Sequence, residues 1–346
     1  MRSMVLRAWR GGRAVLALGF ALLLVACGGG EQRDPFVPQR LFAFGDEMSV
    51  LTNTAPLGRK YSVNGLDAGG QISCALNASN AVTLLWTQQL ALYYRFNFAE
   101  CNPLGLSVNA WTYAVPGAKA ADFAAQYAAA VAEHGPLGPS DFVTLLVGAN
   151  DVLELLPQYL ADPTPARAQA IQDELRARGR RLAHELNTIM LGCGPKFVIS
   201  TLLPVGFTPY VQQLSAARPA DQITTWVNNF SAAFNSGLRA GNAGDPNDGL
   251  INDGRFWALV DLNSIVTAGI NDPAAYALTN ITQAACDPTK ATMPDCSTAT
   301  LVSGADPNTW LWASELWIGW RAHWYLGENA RGRAADNPFG NSCPST

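Results

Sequence analysis

Arg40-Leu41-Phe42-Ala43-Phe44-Gly45-Asp46-Glu47-Met48-Ser49 decides the fold. An unbroken apolar run enters Gly-Asp, the pattern of a strand buried on both faces that ends in a tight turn. The pattern recurs downstream. Residues 108–115 lead into Pro116-Gly117-Ala118, and residues 142–147 lead into Gly148-Ala149-Asn150-Asp151. Two more apolar runs, 197–203 and 256–262, bring the expected strands to five. Helical spacing fills the intervals. It is expected over 79–96, 120–131, Pro165–Leu191 (with Ile171, Leu175, Leu182, Leu186 and Ile189 apolar among alternating charges), 221–238 with Asp221 as N-cap, and a closing helix over 315–331. Strands alternating with helices predict an α/β fold, a parallel sheet covered on both faces. Ligands of such sheets bind beyond the carboxyl ends of the strands, so the chemistry is expected in the three turns just quoted.

Outward from this core, the amino-terminal residues carry a different signal. Residues 1–26 hold Arg2, Arg7, Arg10 and Arg13, no acid, and an apolar run from Ala14 to Val25, the layout of a secretory signal peptide and too short for a membrane span. The run ends in Leu24-Val25-Ala26-Cys27, which resembles a bacterial lipobox. That resemblance implies cleavage before Cys27 and lipidation of its thiol. Gly28 after the cysteine points to the outer membrane of a Gram-negative bacterium. Residues 27–39 are then the lipidated cysteine and a tether, and 40–346 a single domain. Without the leader, 19 basic residues face 27 acidic ones, a formal charge of −8, which argues against a nucleic-acid partner.

Six further cysteines follow Cys27 in a chain expected in an oxidising compartment, so disulfides are expected. Cys286 and Cys296 bracket a proline-containing loop and form the first candidate pair; Cys74 and Cys101 form the second. No C-x-x-C or histidine-rich spacing accompanies them, so neither a metal site nor a cofactor is expected.

The three turns, Gly45-Asp46-Glu47, Gly117 and Gly148-Ala149-Asn150-Asp151, resemble in order and register the first three sequence blocks of the SGNH (GDSL) hydrolases. The stretches 58–64 and 272–286 look like extracellular bacterial members, and the resemblance runs from about Leu41 to Gly332. It implies a three-layer α/β/α sandwich with a flavodoxin-like, five-stranded parallel sheet. It also implies chemistry: a serine in the first block attacks an ester carbonyl, donors in all three blocks hold the oxyanion, and a late D-x-x-H supplies the base and its orienting acid. Carried over by position, Gly117 and Asn150 are oxyanion-hole donors. The serine position, however, holds Glu47. Aligning the late block on His323 places Ser314 at the aspartate and Trp317 at the histidine, and no D-x-x-H occurs anywhere in the chain.

The resemblance therefore implies a degenerate enzyme with a vestigial oxyanion hole. An indole cannot take a proton from a hydroxyl. Ser49 is no substitute, because two residues further round a helical turn points it away from the cleft. His323 reads as a structural histidine, and Asp46 and Asp151 as loop-holding hydrogen-bond acceptors. Trp317, Trp320 and Trp324 fall at i, i+3 and i+7, which reads as core and cleft filling. The Glu47 carboxylate is expected to turn onto the donors at Gly117 and Asn150. Three readings stay open: a non-catalytic, membrane-anchored protein whose old cleft binds a small ester, lipid or sugar; an active carboxylesterase with an unorthodox site; and a structural or interaction lipoprotein.

Overall fold

A computed structural model describes residues 36–75, 84–239, 249–250 and 257–335. The central sheet has five parallel strands: β1 (Arg40–Gly45), β2 (Ala110–Thr112), β3 (Asp141–Leu146), β4 (Lys196–Ser200) and β5 (Trp257–Val260), in the spatial order β2-β1-β3-β4-β5. Register is continuous, with Leu41 opposite Ala110 on one side of β1 and Phe142 on the other, and Phe142 opposite Lys196 in turn. The three middle strands are buried almost throughout, as their unbroken apolar runs require.

Helices cover both faces. On one, α1 (Trp86–Tyr93) packs against α8 (Trp320–Ala335), which also touches α7 (Leu262–Asn271) and β5. On the other, α4 (Pro165–Leu191) lies against α6 (Ile223–Leu238), joined by α2 (Phe123–His134) and α3 (Ala149–Ala161); α5 (Pro209–Ala217) packs beside α6. The α4–α6 contact depends on two glycines. A Cβ on Gly179 would stand 2.3 Å from the Phe234 carbonyl oxygen, and one on Gly237 only 2.0 Å from that of Arg176. The α/β/α architecture expected from the sequence is thus present.

Several boundaries differ from the sequence reading, each for a local reason. The first helix, expected over 79–96, begins at Trp86; residues 79–83 lie outside the described residues. Leu85 is extended at its N-cap, where its N–H donates to the Gln88 side chain (2.9 Å). It ends because Arg95 turns left-handed (φ 61°) and the Phe96 N–H reaches back to the Ala91 carbonyl. The helix expected over 221–238 starts at Ile223, and a left-handed Gln222 rather than Asp221 is its N-cap. The closing helix starts at Trp320 rather than 315, so Trp317 is not on its face. Helices α3, α5 and α7 were not anticipated; Thr208 and Asp261 cap the last two through the Val211 and Ser264 N–H groups. The second and fifth strands are shorter than expected, and the expected helix over 120–131 opens with a 3-10 turn, Ala120–Asp122. Residues 36–38, expected in the tether, join the fold: Phe36 is buried and meets Phe142 edge-on at 5.7 Å. Both expected disulfides, Cys74–Cys101 and Cys286–Cys296, are formed.

Candidate functional site

Because β1 lies between β2 and β3, the chain leaves β1 toward one side and returns on the other, and the crevice opens above their carboxyl ends. Three loops meet there. In the first, Asp46 caps a single 3-10 turn, Glu47–Ser49, its Oδ1 accepting the Met48 N–H at 3.2 Å. Burial, and next the neighbouring Glu47 charge, hold the Asp46 carboxyl well above the ordinary carboxylate range. Glu47 and Ser49 diverge within this turn. Ser49 is fully buried and its Oγ accepts the Trp86 indole N–H at 3.2 Å, so it belongs to the core.

Glu47 turns the other way, onto the donors. The Gly117 N–H donates to Oε1 at 2.8 Å, and the Asn150 side-chain amide donates to Oε2 at 2.8 Å. Gly117 sits at φ 80° in a turn closed by the Ala118 N–H on the Val115 carbonyl (3.1 Å), a left-handed conformation that suits a glycine. Asn150 lies in the first turn of α3, and its amide also donates to the Ala118 carbonyl at 3.1 Å, so two acceptors fix its orientation. The arrangement expected for Glu47 is the one observed.

Neighbouring polar groups hold these loops. Asp151 accepts the Ala120 N–H at 2.8 Å and Arg178 Nη1 at 3.1 Å, and Arg178 also bonds Glu154 and Glu174. Burial still leaves the Asp151 carboxyl above its ordinary range, although the Ala120 and Arg178 bonds oppose it. Gln126, on α2, spans Gly45: its Oε1 accepts the Gly45 N–H (2.8 Å) and its amide donates to the Gly45 carbonyl (2.9 Å). Sequence reasoning assigned no role to Arg178 or Gln126. A signal existed for the second, a glutamine at i+3 from Phe123 in a helix otherwise rich in alanine.

The stretch 58–64 fastens the site to the Cys286–Cys296 loop. The Asn64 amide donates to the carbonyls of Pro294 (2.7 Å) and Cys296 (2.8 Å), and Arg59 pairs with Asp295 at 3.0 Å. Tyr61, between them, has its phenol pKa raised, first by burial and then by the charges of Glu47 and Asp295. Lys60 is fully buried with Nζ donating to the Cys74 carbonyl at 3.3 Å, and burial pulls its pKa down to about 7.

The late segment holds Ser314 and Trp317 in a turn rather than a helix. The N–H groups of Ala313 and Ser314 donate to the Trp317 carbonyl (2.9 and 3.2 Å), and Ser314 Oγ accepts the Trp317 N–H at 3.2 Å. The Trp317 ring is buried in the main core. Trp312 ends a short strand, Trp310–Trp312, paired in parallel with Asn280–Ala284. His323 is fully buried on α8, its Nδ1 accepting the Trp86 N–H at 3.4 Å. Burial, then the Lys60 charge, lower its pKa to about 3. Two cavities flank the crevice. A groove of about 610 Å3 runs between the 112–118 loop and α2, beside Gly117. A smaller one, about 220 Å3, lies between the 314–317 turn and the disulfide loop. Cys27 falls outside the described residues.

The profile of the GDSL-like lipase/acylhydrolases matches residues 42–293. No curated protein matches the chain. Among solved structures, an acetylxylan esterase from Geobacillus stearothermophilus aligns at 14% identity, covering 90% of this chain and 100% of its own, with a TM-score of 0.37. A member of the lipolytic protein G-D-S-L family from Veillonella parvula aligns at 11% identity, covering 84% of this chain and 95% of its own, with a TM-score of 0.35.

Proposed function

The chain belongs to the GDSL-like lipase/acylhydrolase family, and we propose that within it this protein is an exported lipoprotein that no longer hydrolyses esters. Glu47 stands where such an enzyme stabilises a negatively charged acyl oxygen. The observation that carries this reading is the pair of 2.8 Å bonds from Gly117 and Asn150 to the Glu47 carboxylate. Donors aimed at a developing oxyanion serve catalysis only while the substrate oxygen can reach them. Here the chain's own carboxylate takes both.

Proton handling is absent as well. The Trp317 indole is a donor only, and Ser314 is spent as a turn cap. Of the three histidines, His323 is sealed in the core, His134 ends α2 at the opposite edge of the sheet, and His184 is exposed on α4. None reaches the crevice. Glu47 is itself a carboxylate capable of nucleophilic attack in principle, but among the described residues no histidine stands beside it to activate the water that would release an acyl group. The groove beside Gly117, walled by Tyr113, Val115, Pro116 and Ala125, has the size of a small-molecule site and is assigned to an ester, lipid or sugar ligand. Cys27 is assigned to the lipid anchor, in the outer membrane of a Gram-negative cell.

Turnover of short-chain nitrophenyl esters tests the reading. The natural protein and a Glu47→Ala variant are both expected at the buffer background. Turnover by the natural protein above that of Glu47→Ala overturns the proposal and makes Glu47 part of an unorthodox esterase. Mass spectrometry of the membrane-extracted chain tests the anchor, with an acyl adduct expected on an amino-terminal Cys27.

A further inference from the structure

Eight large apolar residues are exposed among the described residues, and seven of them lie on one edge of the sheet. Val37 precedes β1, Leu92 and Tyr93 end α1, and Leu104, Leu106 and Val108 stand in the loop that enters β2. Leu191, at the end of α4 ahead of β4, lies on the same edge. Since all five strands are parallel, the segments that enter them share the amino edge, away from Glu47. Val115, beside Gly117, is the exception.

Rings beneath this edge tie together the segments that carry the first six, Phe36 beside Val37 and Tyr94 beside Tyr93 both packing on the buried Phe142. Phe36 meets Phe142 (5.7 Å), Phe142 meets Tyr94 (5.5 Å), and Tyr94 meets Tyr93 (4.9 Å). Asn97 then fastens the neighbouring loop, donating to the Ser107 carbonyl at 3.1 Å and accepting the Asn109 N–H through its own carbonyl. Leu104 is the most exposed, at 78%, and Leu104, Leu106 and Val108 alternate with Gly105 and Ser107. The Arg331 guanidinium, paired with Glu328 at 3.1 Å, lies 5.6 Å from the Tyr93 ring centre, and Arg95 is exposed.

We propose that this edge rests on a lipid bilayer. The chain is then held by two signals, an acyl group on Cys27 and the apolar edge, while the Glu47 crevice faces away from the membrane. The inference rests on the lipoprotein reading given above. Three observations favour lipid over a second copy of the chain. The leucines stand singly on a loop, spaced by small residues, a shape that enters a headgroup layer rather than tiling a flat interface. A tyrosine flanked by arginines is the composition of a membrane–water boundary. And Cys27 precedes Phe36 by nine residues, at most about 30 Å of extended chain, on the strand-entry side of the fold. One acyl chain alone binds membranes reversibly, so a second contact has a physical purpose.

Hydrogen exchange decides the matter, using the full lipidated chain on vesicles of phosphatidylethanolamine with phosphatidylglycerol and a Cys27→Ser chain in buffer as the reference. Amides 102–109 should slow about tenfold on vesicles while 113–118 keep their rates. Unchanged exchange at 102–109 in a vesicle-bound, lipidated chain overturns the edge proposal and leaves the lipoprotein reading standing. Protection that grows with protein concentration in buffer alone makes a second copy the partner, and also overturns it. If mass spectrometry finds no acyl group on Cys27, the anchor reading falls by itself. The edge is then judged by vesicle partition of the unmodified chain, which Leu104→Asp with Leu106→Asp should weaken roughly tenfold or more; equal partition refutes it.

Discussion

The two halves of the crevice are held together by different interactions. On the side built by β1, β2 and β3, Gly117 and Asn150 keep the geometry of charge-stabilising donors, and a carboxylate satisfies both. On the side built by the late segment, a turn cap and a buried indole stand where an acid and a base are expected, and the nearby histidine is sealed neutral in the core. The contrast has a physical origin. Glu47 is buried, and a buried carboxylate must be bonded, so it and its two donors hold one another in place. A catalytic histidine needs solvent contact and a partner carboxylate. The Trp317 ring has neither and fills the core instead.

Acidification should separate the halves most strongly. The folded-state pKa of His323 is depressed from 6.5 to about 3, so the native protein refuses a proton that the unfolded chain takes. The stability this histidine contributes is present above pH 6.5 and lost as pH falls toward 3, by up to about 1.4 kcal/mol per pH unit. Urea unfolding of the natural protein and a His323→Leu variant at descending pH should show the steeper loss in the natural protein; parallel slopes would place the proton elsewhere. Next in size, Trp317→Ala should cost about 3 kcal/mol as a core truncation without altering ester turnover. Glu47→Ala should cost about 1 kcal/mol, because Gly117 is exposed and Asn150 half-buried, so water can reach the freed donors. Its informative sign is rescue: added acetate should raise the Tm of Glu47→Ala and leave the natural protein unmoved. Absence of rescue would mean that the donors have lost their anion site with Glu47. Smallest, Ser314→Ala should cost about 0.5 kcal/mol, the low end for a part-buried hydrogen bond within a turn.

The donor half was legible in the sequence because each of its parts is announced locally. Apolar runs end in glycine, the turns follow in register, and a carboxylate placed among donors has one favourable direction to point. Helix α4 was legible end to end for similar reasons, since Thr164 caps it, Pro165 opens it and Gly192 follows it. The late half was not. Its tryptophan spacing mimicked a helical face, whereas the backbone there is set by pairing with residues 280–284 and by bonds closing on the Trp317 carbonyl. The strand partners lie some thirty residues away in the chain, and no local pattern encodes that pairing. Helix α3 was missed because Gly148 to Asp151 reads as a turn and Pro157 discourages a helix, although Asn150 and Asp151 prove to be its first turn.

Gln126 uncouples the first loop from the residue it presents. By bonding the Gly45 N–H and carbonyl, it clamps the backbone at the mouth of the first loop from a neighbouring helix, independently of whatever side chain occupies position 47. A framework secured in that way tolerates drift at the residue it presents. Another side chain at position 47 would leave β1 and its turn in place, so the fold and the chemistry of the crevice can vary separately.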